Sequence, residues 1–133
     1  MKHNLTVPRF WRKLKHRYNL LGTHCTTCET YYYPPRKICP KCRRRGEIEP
    51  HRFKGEGKLL TYTIIQNPPE KITAHAPYVL GIVELDEGPR LTSQIICSPE
   101  EAEIGMRVRS VFRKIGEESA EGMIYYGTKF VKL

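Results

Sequence analysis

The chain has 133 residues, with 23 Lys and Arg against 14 Asp and Glu, and its formal net charge is +9. That length holds one ordinary domain or two small ones, and no run reaches the roughly 18 apolar residues of a membrane span. Residues Met1 to Lys15 lack the apolar core of a secretion signal, so a soluble, cytoplasmic protein with reduced thiols is expected. The charge is unevenly placed. Residues 1–56 carry 14 Lys and Arg against 4 Asp and Glu, whereas residues 57–133 carry 9 against 10. The N-terminal half is therefore the part suited to polyanions, phosphorylated cofactors or acidic partner surfaces.

From the N-terminus, Thr6 and Pro8 read as the cap and first turn of a helix. Phe10, Leu14, Tyr18 and Leu21 recur at helical spacing, Trp11 widens the stripe, and Arg9, Arg12, Lys13, Lys15, His16 and Arg17 fill the other faces. Gly22 is expected to end it, giving a basic amphipathic helix of three to four turns within residues 1–22. A helix this short is marginal alone in water. Its apolar stripe must pack on its own chain or on a partner, and Phe10, Trp11, Leu14 and Tyr18 are the candidate partner contacts.

Cys25-Thr-Thr-Cys28 and, ten residues on, Cys39-Pro-Lys-Cys42 follow the helix. Two residues between the thiols of each pair let both reach one tetrahedral ion, and two pairs complete a closed four-thiolate shell. A closed shell leaves no open position for substrate, so a structural Zn2+ is expected, with iron in the same shell as the alternative. Such knuckles favour glycine after the second cysteine, where φ turns positive. Here those positions are Glu29 and Arg43. His24 is a ligand only if a cysteine fails, and the fifth cysteine, Cys97, lies in an apolar run and reads as a core thiol. Tyr31 to Arg36, with Pro34 and Pro35, is predicted to run extended between the knuckles.

The ribbon is assigned to residues 23–50 and a β domain to residues 51–133, with Gly46 to Gly57 as a hinge-like connector. Five apolar, β-branched runs follow it: Leu59 to Ile65, Tyr78 to Leu85, Leu91 to Cys97, Arg107 to Phe112 and Met123 to Val131. Turn-rich breaks separate them, and Glu100 to Glu103 is placed as one helical turn before Gly105. Five short strands of this kind suggest a small antiparallel barrel of the OB type. The expected fold is thus mainly β: an N-terminal helix, a four-cysteine zinc ribbon and a five-stranded OB-fold barrel.

No catalytic constellation emerges. His75 sits in a loop with no nucleophile or paired acid near it in sequence, His51 falls in the connector, and Asp86-Glu87-Gly88 has the composition of a turn. A basic ribbon joined to an OB-fold also suits a single-stranded nucleic-acid binder. That reading is weakened because strands two and three offer one aromatic residue, Tyr78, and the barrel half is not basic.

The order of motifs resembles a family of acyl-CoA-associated proteins built from an N-terminal helix, a rubredoxin-like zinc ribbon and a C-terminal OB-fold, long labelled a domain of unknown function. The matching residues are Leu20-Leu-Gly22, the two cysteine pairs, Pro34-Pro-Arg36, Gly55-x-Gly57, Thr61-Tyr-Thr63, Pro77-Tyr78, Val83 to Gly88 and Ile104 to Val108. Glu29 and Arg43 depart from the family's glycines. The resemblance implies a non-catalytic partner of thiolase-like enzymes. Short members with one ribbon and one barrel are similar to the subunit bridging acetoacetyl-CoA thiolase and hydroxymethylglutaryl-CoA synthase in archaeal mevalonate synthesis, where the intermediate made by one enzyme is used by the other. Coenzyme A, a polyanion at its nucleotide end, would then meet this basic half. Arg17, Tyr33, Arg36 and Lys37 are the candidate CoA contacts.

Overall fold

The computed structural model describes residues 7–69, 76–117 and 120–133. Two short helices, α1 (Val7–Arg12) and α2 (Leu14–Asn19), lead into strands β1 (Leu21–Cys25), β2 (Thr30–Tyr32) and β3 (Ile48–Arg52), which form an antiparallel sheet in the order β2-β1-β3. The single helix expected to end at Gly22 is therefore two, broken at Lys13, and it stops earlier. Leu20 takes the left-handed cap conformation (φ 51°, ψ 48°), while Leu21 and Gly22 already belong to β1. The break shortens the distance between Phe10 and Tyr18, which lie about 12 Å apart along a straight helix; their ring centroids meet at 6.1 Å. Gly22 is needed for space instead. A Cβ there would lie 2.2 Å from the Tyr32 carbonyl oxygen and 2.5 Å from the Phe53 ring. Thr6 and His75 lie outside the described residues.

The hinge-like connector is also different from expectation, since it carries β3, paired with β1 from Leu21↔Arg52 to Cys25↔Ile48. Continuing the chain, β4 (Glu56–Ile65), β5 (Tyr78–Leu85), β6 (Arg90–Ile96), β7 (Arg107–Glu117) and β8 (Ile124–Lys132) close a barrel in the order β4-β5-β6-β8-β7, with β6 and β8 parallel and the other pairs antiparallel. This is the mainly β, OB-type architecture that the five runs predict. Alternate residues fill the interior: Leu59, Val79, Val83, Leu85, Ile95, Val108 and Phe130 are essentially inaccessible to solvent. The helical turn expected at Glu100 to Glu103 is a 3₁₀ turn, Pro99–Glu101, closed by a reciprocal Ser98–Glu101 capping box. Asp86, in the β5–β6 turn, receives both arms of the Arg107 guanidinium at 2.6 and 2.8 Å, which ties that turn to the start of β7. Cys97 is partly buried against the core, and burial raises its pKa.

The helices lie along β8. The Thr128 hydroxyl donates to the Arg17 carbonyl at 2.9 Å, the Phe10 ring meets Tyr125 edge-on at 4.7 Å, and Tyr18 meets Phe112 edge-on at 5.0 Å. Phe10 is fully buried by these contacts, which corrects its expected place at a partner interface. Leu14 and Tyr18 are half-buried, and of the four candidates only Trp11, 69% exposed, stands clear. Among the described residues no helix is long and apolar enough to cross a membrane.

Candidate metal centre and basic cleft

Cys25 closes β1, Cys28 lies in the turn after it, and Cys39 and Cys42 come from the second knuckle. All four sulfurs lie within 4.8 Å of one another, and Cys28 and Cys39 are 3.5 Å apart. A tetrahedral ion with Zn–S bonds of ~2.3 Å needs sulfurs roughly 3.8 Å apart, so the donor set fits a structural zinc in both chemistry and spacing. Among the described residues this is the one grouping of three or more Cys, His, Asp or Glu side chains that could hold a metal. His24 is not part of it: its ring stacks on Tyr31 at 4.3 Å, beside His51 and Phe53.

Charge makes the same point about the ion. The Cys42 backbone N–H, followed by the Tyr32 hydroxyl, brings the Cys39 thiol down to about 6, whereas desolvation and the neighbouring thiols push Cys42 up to about 12. The Thr30 hydroxyl brings Cys28 down as well, so the cluster favours thiolates at Cys28 and Cys39 and opposes one at Cys42; a bound cation would offset that opposition. Gly46 leaves the space the knuckle needs; a Cβ there would come within 2.9 Å of Cys42 Cβ and 3.3 Å of Cys25 Sγ.

Glu29 and Arg43 both take φ of 54°, the positive value that the knuckle imposes after its second cysteine. A non-glycine residue is strained there by about 1 kcal/mol or more. Glu29→Gly and Arg43→Gly are each expected to raise stability by about 0.5–1 kcal/mol, with glycine's greater unfolded-state freedom offsetting part of the relief. Denaturant unfolding of the metal-loaded protein measures this; a loss of stability in both variants contradicts it.

Between the ribbon and α2 lies an open cleft of about 860 Å³. Arg17, Tyr33, Arg36 and Lys37 all line it. Two contacts assemble it: the Tyr33 hydroxyl donates to the His16 carbonyl at 3.2 Å, and the Arg36 backbone N–H donates to Thr23 Oγ1 at 3.1 Å. The Arg17 guanidinium stands 5.3 Å from the Phe10 ring centroid and that of Arg36 5.6 Å from the Tyr32 ring centroid, so each cleft-lining arginine also has an aromatic face to rest on. Burial raises the Tyr33 pKa, with Arg17 pulling against it, so the phenol is neutral at pH 7.

Lys13 at the helix break and His16 of α2 join the cleft, with Ile48 and Pro50 from β3. The first pair could have been found from spacing, since 13, 16 and 17 share one helix face; the second pair was hidden when β3 read as connector. A smaller cleft of about 400 Å³ lies between the end of α2, residues 52–54 and the β7–β8 strands.

The family model described as the ChsH2 rubredoxin-like zinc ribbon domain matches residues 12–49, and that described as the ChsH2 C-terminal OB-fold domain matches residues 51–113. A DUF35 domain-containing scaffold protein of Methanocaldococcus jannaschii is 49% identical over 125 residues, covering 93% of this chain and 89% of that protein. The chain belongs to the DUF35 family. A probable enoyl-CoA hydratase alpha subunit of Thermomonospora curvata is 32% identical over 100 residues, 74% of this DUF35 chain but 31% of that protein. In three dimensions the DUF35 chain is similar to a solved chain of the Ltp2-ChsH2(DUF35) aldolase, at a TM-score of 0.69 and 26% identity, covering 99% of this chain and 98% of that one.

Proposed function

We propose that this chain is a non-catalytic scaffold of an acyl-CoA enzyme complex, bridging acetoacetyl-CoA thiolase and hydroxymethylglutaryl-CoA synthase in the mevalonate pathway and lending its basic cleft to the CoA they share. The observation that carries the reading is the cleft itself. Residues 17, 33, 36 and 37 converge on one open surface beside a metal-stiffened ribbon, with two guanidinium forks and an aromatic face, the chemistry that suits a phosphorylated nucleotide. Support for the role comes from relatives named as scaffold proteins or as a subunit of an enoyl-CoA enzyme.

The CoA assignment is tested by Arg17→Ala with Arg36→Ala in the assembled complex. Removing two charge-assisted phosphate contacts is expected to weaken CoA binding by roughly tenfold or more, while assembly and metal content stay unchanged. Unaltered CoA affinity in an intact complex would remove CoA from the cleft.

A further inference from the structure

Beyond Ser110, whose N–H donates to the Gly55 carbonyl at 2.7 Å, β7 leaves β4 and pairs with β8 alone among the described residues, so the two strands run on as an arm. Tyr125 of the arm is buried against Phe10, and Phe112 meets Tyr18, but much of the arm's apolar surface stays open: Phe112 is 49% exposed, Ile124 41% and Ile115 37%. They occupy both faces. Phe112 stacks on Tyr126 at 5.2 Å, on the face that Ile124 shares by strand alternation, whereas Ile115 lies over Gly127 on the other. Trp11, 69% exposed, follows Phe10, which packs on Tyr125 of the arm.

We infer that this arm, together with Trp11, is a docking element that inserts into an apolar groove rimmed by carboxylates on a different protein. Apolar side chains on both faces suit a groove that encloses the arm, since a flat surface such as a membrane would cover only one face. Charge selects the rim. Arg9, Arg12, Lys13 and Lys15 on the helices and Arg113 on the arm have no carboxylate partner among the described residues. A second copy meeting this face symmetrically would set these cations against themselves, which favours an acidic partner of another kind. The register shift at Lys114 to Gly116 bends the outer edge of β7 and, with the cations, disfavours simple strand addition. Contact is therefore made through side chains. The inference rests on the scaffold reading only for which enzyme owns the groove.

The test places a photo-activatable cross-linking residue at position 115 of the full chain, in its own cells, with adducts mapped by mass spectrometry. Expected is one dominant adduct in an apolar groove bordered by Asp and Glu on another protein, with a yield that falls at least tenfold when Arg9→Glu and Arg12→Glu are added. Unchanged thermal melting of both variants confirms their fold. Adducts to a second copy, to nucleic acid or to lipid, no adduct above background, or a yield indifferent to the charge reversal would each overturn the inference. An adduct of the expected kind on a protein that handles no acyl-CoA keeps the docking arm and removes the bridging function; a stable thiolase and synthase complex without arm adducts does the reverse.

Discussion

Replacing Cys39 with Ser is expected to release the metal and unfold the ribbon, residues 21–52, while the barrel strands stay paired. The ribbon sheet has three short strands, and its buried side chains are chiefly Cys25, Cys39 and Thr23. Little apolar core exists to hold it without the ion, whereas structural zinc supplies apparent binding free energies of about 10–16 kcal/mol in isolated finger peptides. Losing one of four thiolates should remove most of that support. Elemental analysis and amide hydrogen exchange check the result together. Retained metal with unchanged protection over residues 21–52 would refute the four-cysteine centre.

Phe10→Ala and Trp11→Ala should behave as opposites despite being neighbours. Phe10 is fully buried against Tyr125 and Tyr18, with Arg17 over its ring, so truncation leaves a cavity and should cost about 3 kcal/mol of folding stability. Trp11 is 69% exposed, so its loss should leave stability within about 0.5 kcal/mol and weaken assembly by more than about 1 kcal/mol. Denaturant unfolding reads the first effect and co-purification the second. Undiminished assembly of the Trp11→Ala protein would sink the anchor.

What could be read in advance was what local spacing determines. The cysteine pairs sit at ligand spacing, and the barrel strands show apolar alternation within each run, so both were legible without tertiary information. The break at Lys13 was not, because it serves the meeting of Phe10 with Tyr18 and Tyr125, residues up to 115 positions apart. Strand β3 was hidden by its own composition. Ile48-Glu-Pro-His-Arg52 has one aliphatic residue and a proline, tolerated because β3 is an edge strand bonded only to β1. The far end of β7 was hidden likewise, since Arg113 and Lys114 interrupt the apolar run that the barrel strands show. For the cleft, resemblance and proximity in sequence singled out the four residues, but their convergence depends on Tyr33 reaching the His16 carbonyl and Arg36 bonding Thr23, which no local pattern encodes.

The bridging role is tested most directly by isolating the native protein from its own cells at moderate salt, then measuring the identity and ratio of what accompanies it. The account predicts an acetoacetyl-CoA thiolase and a hydroxymethylglutaryl-CoA synthase in fixed ratio to this chain. Recovery of the chain with nucleic acid or ribosomal components, and with neither enzyme, would contradict it.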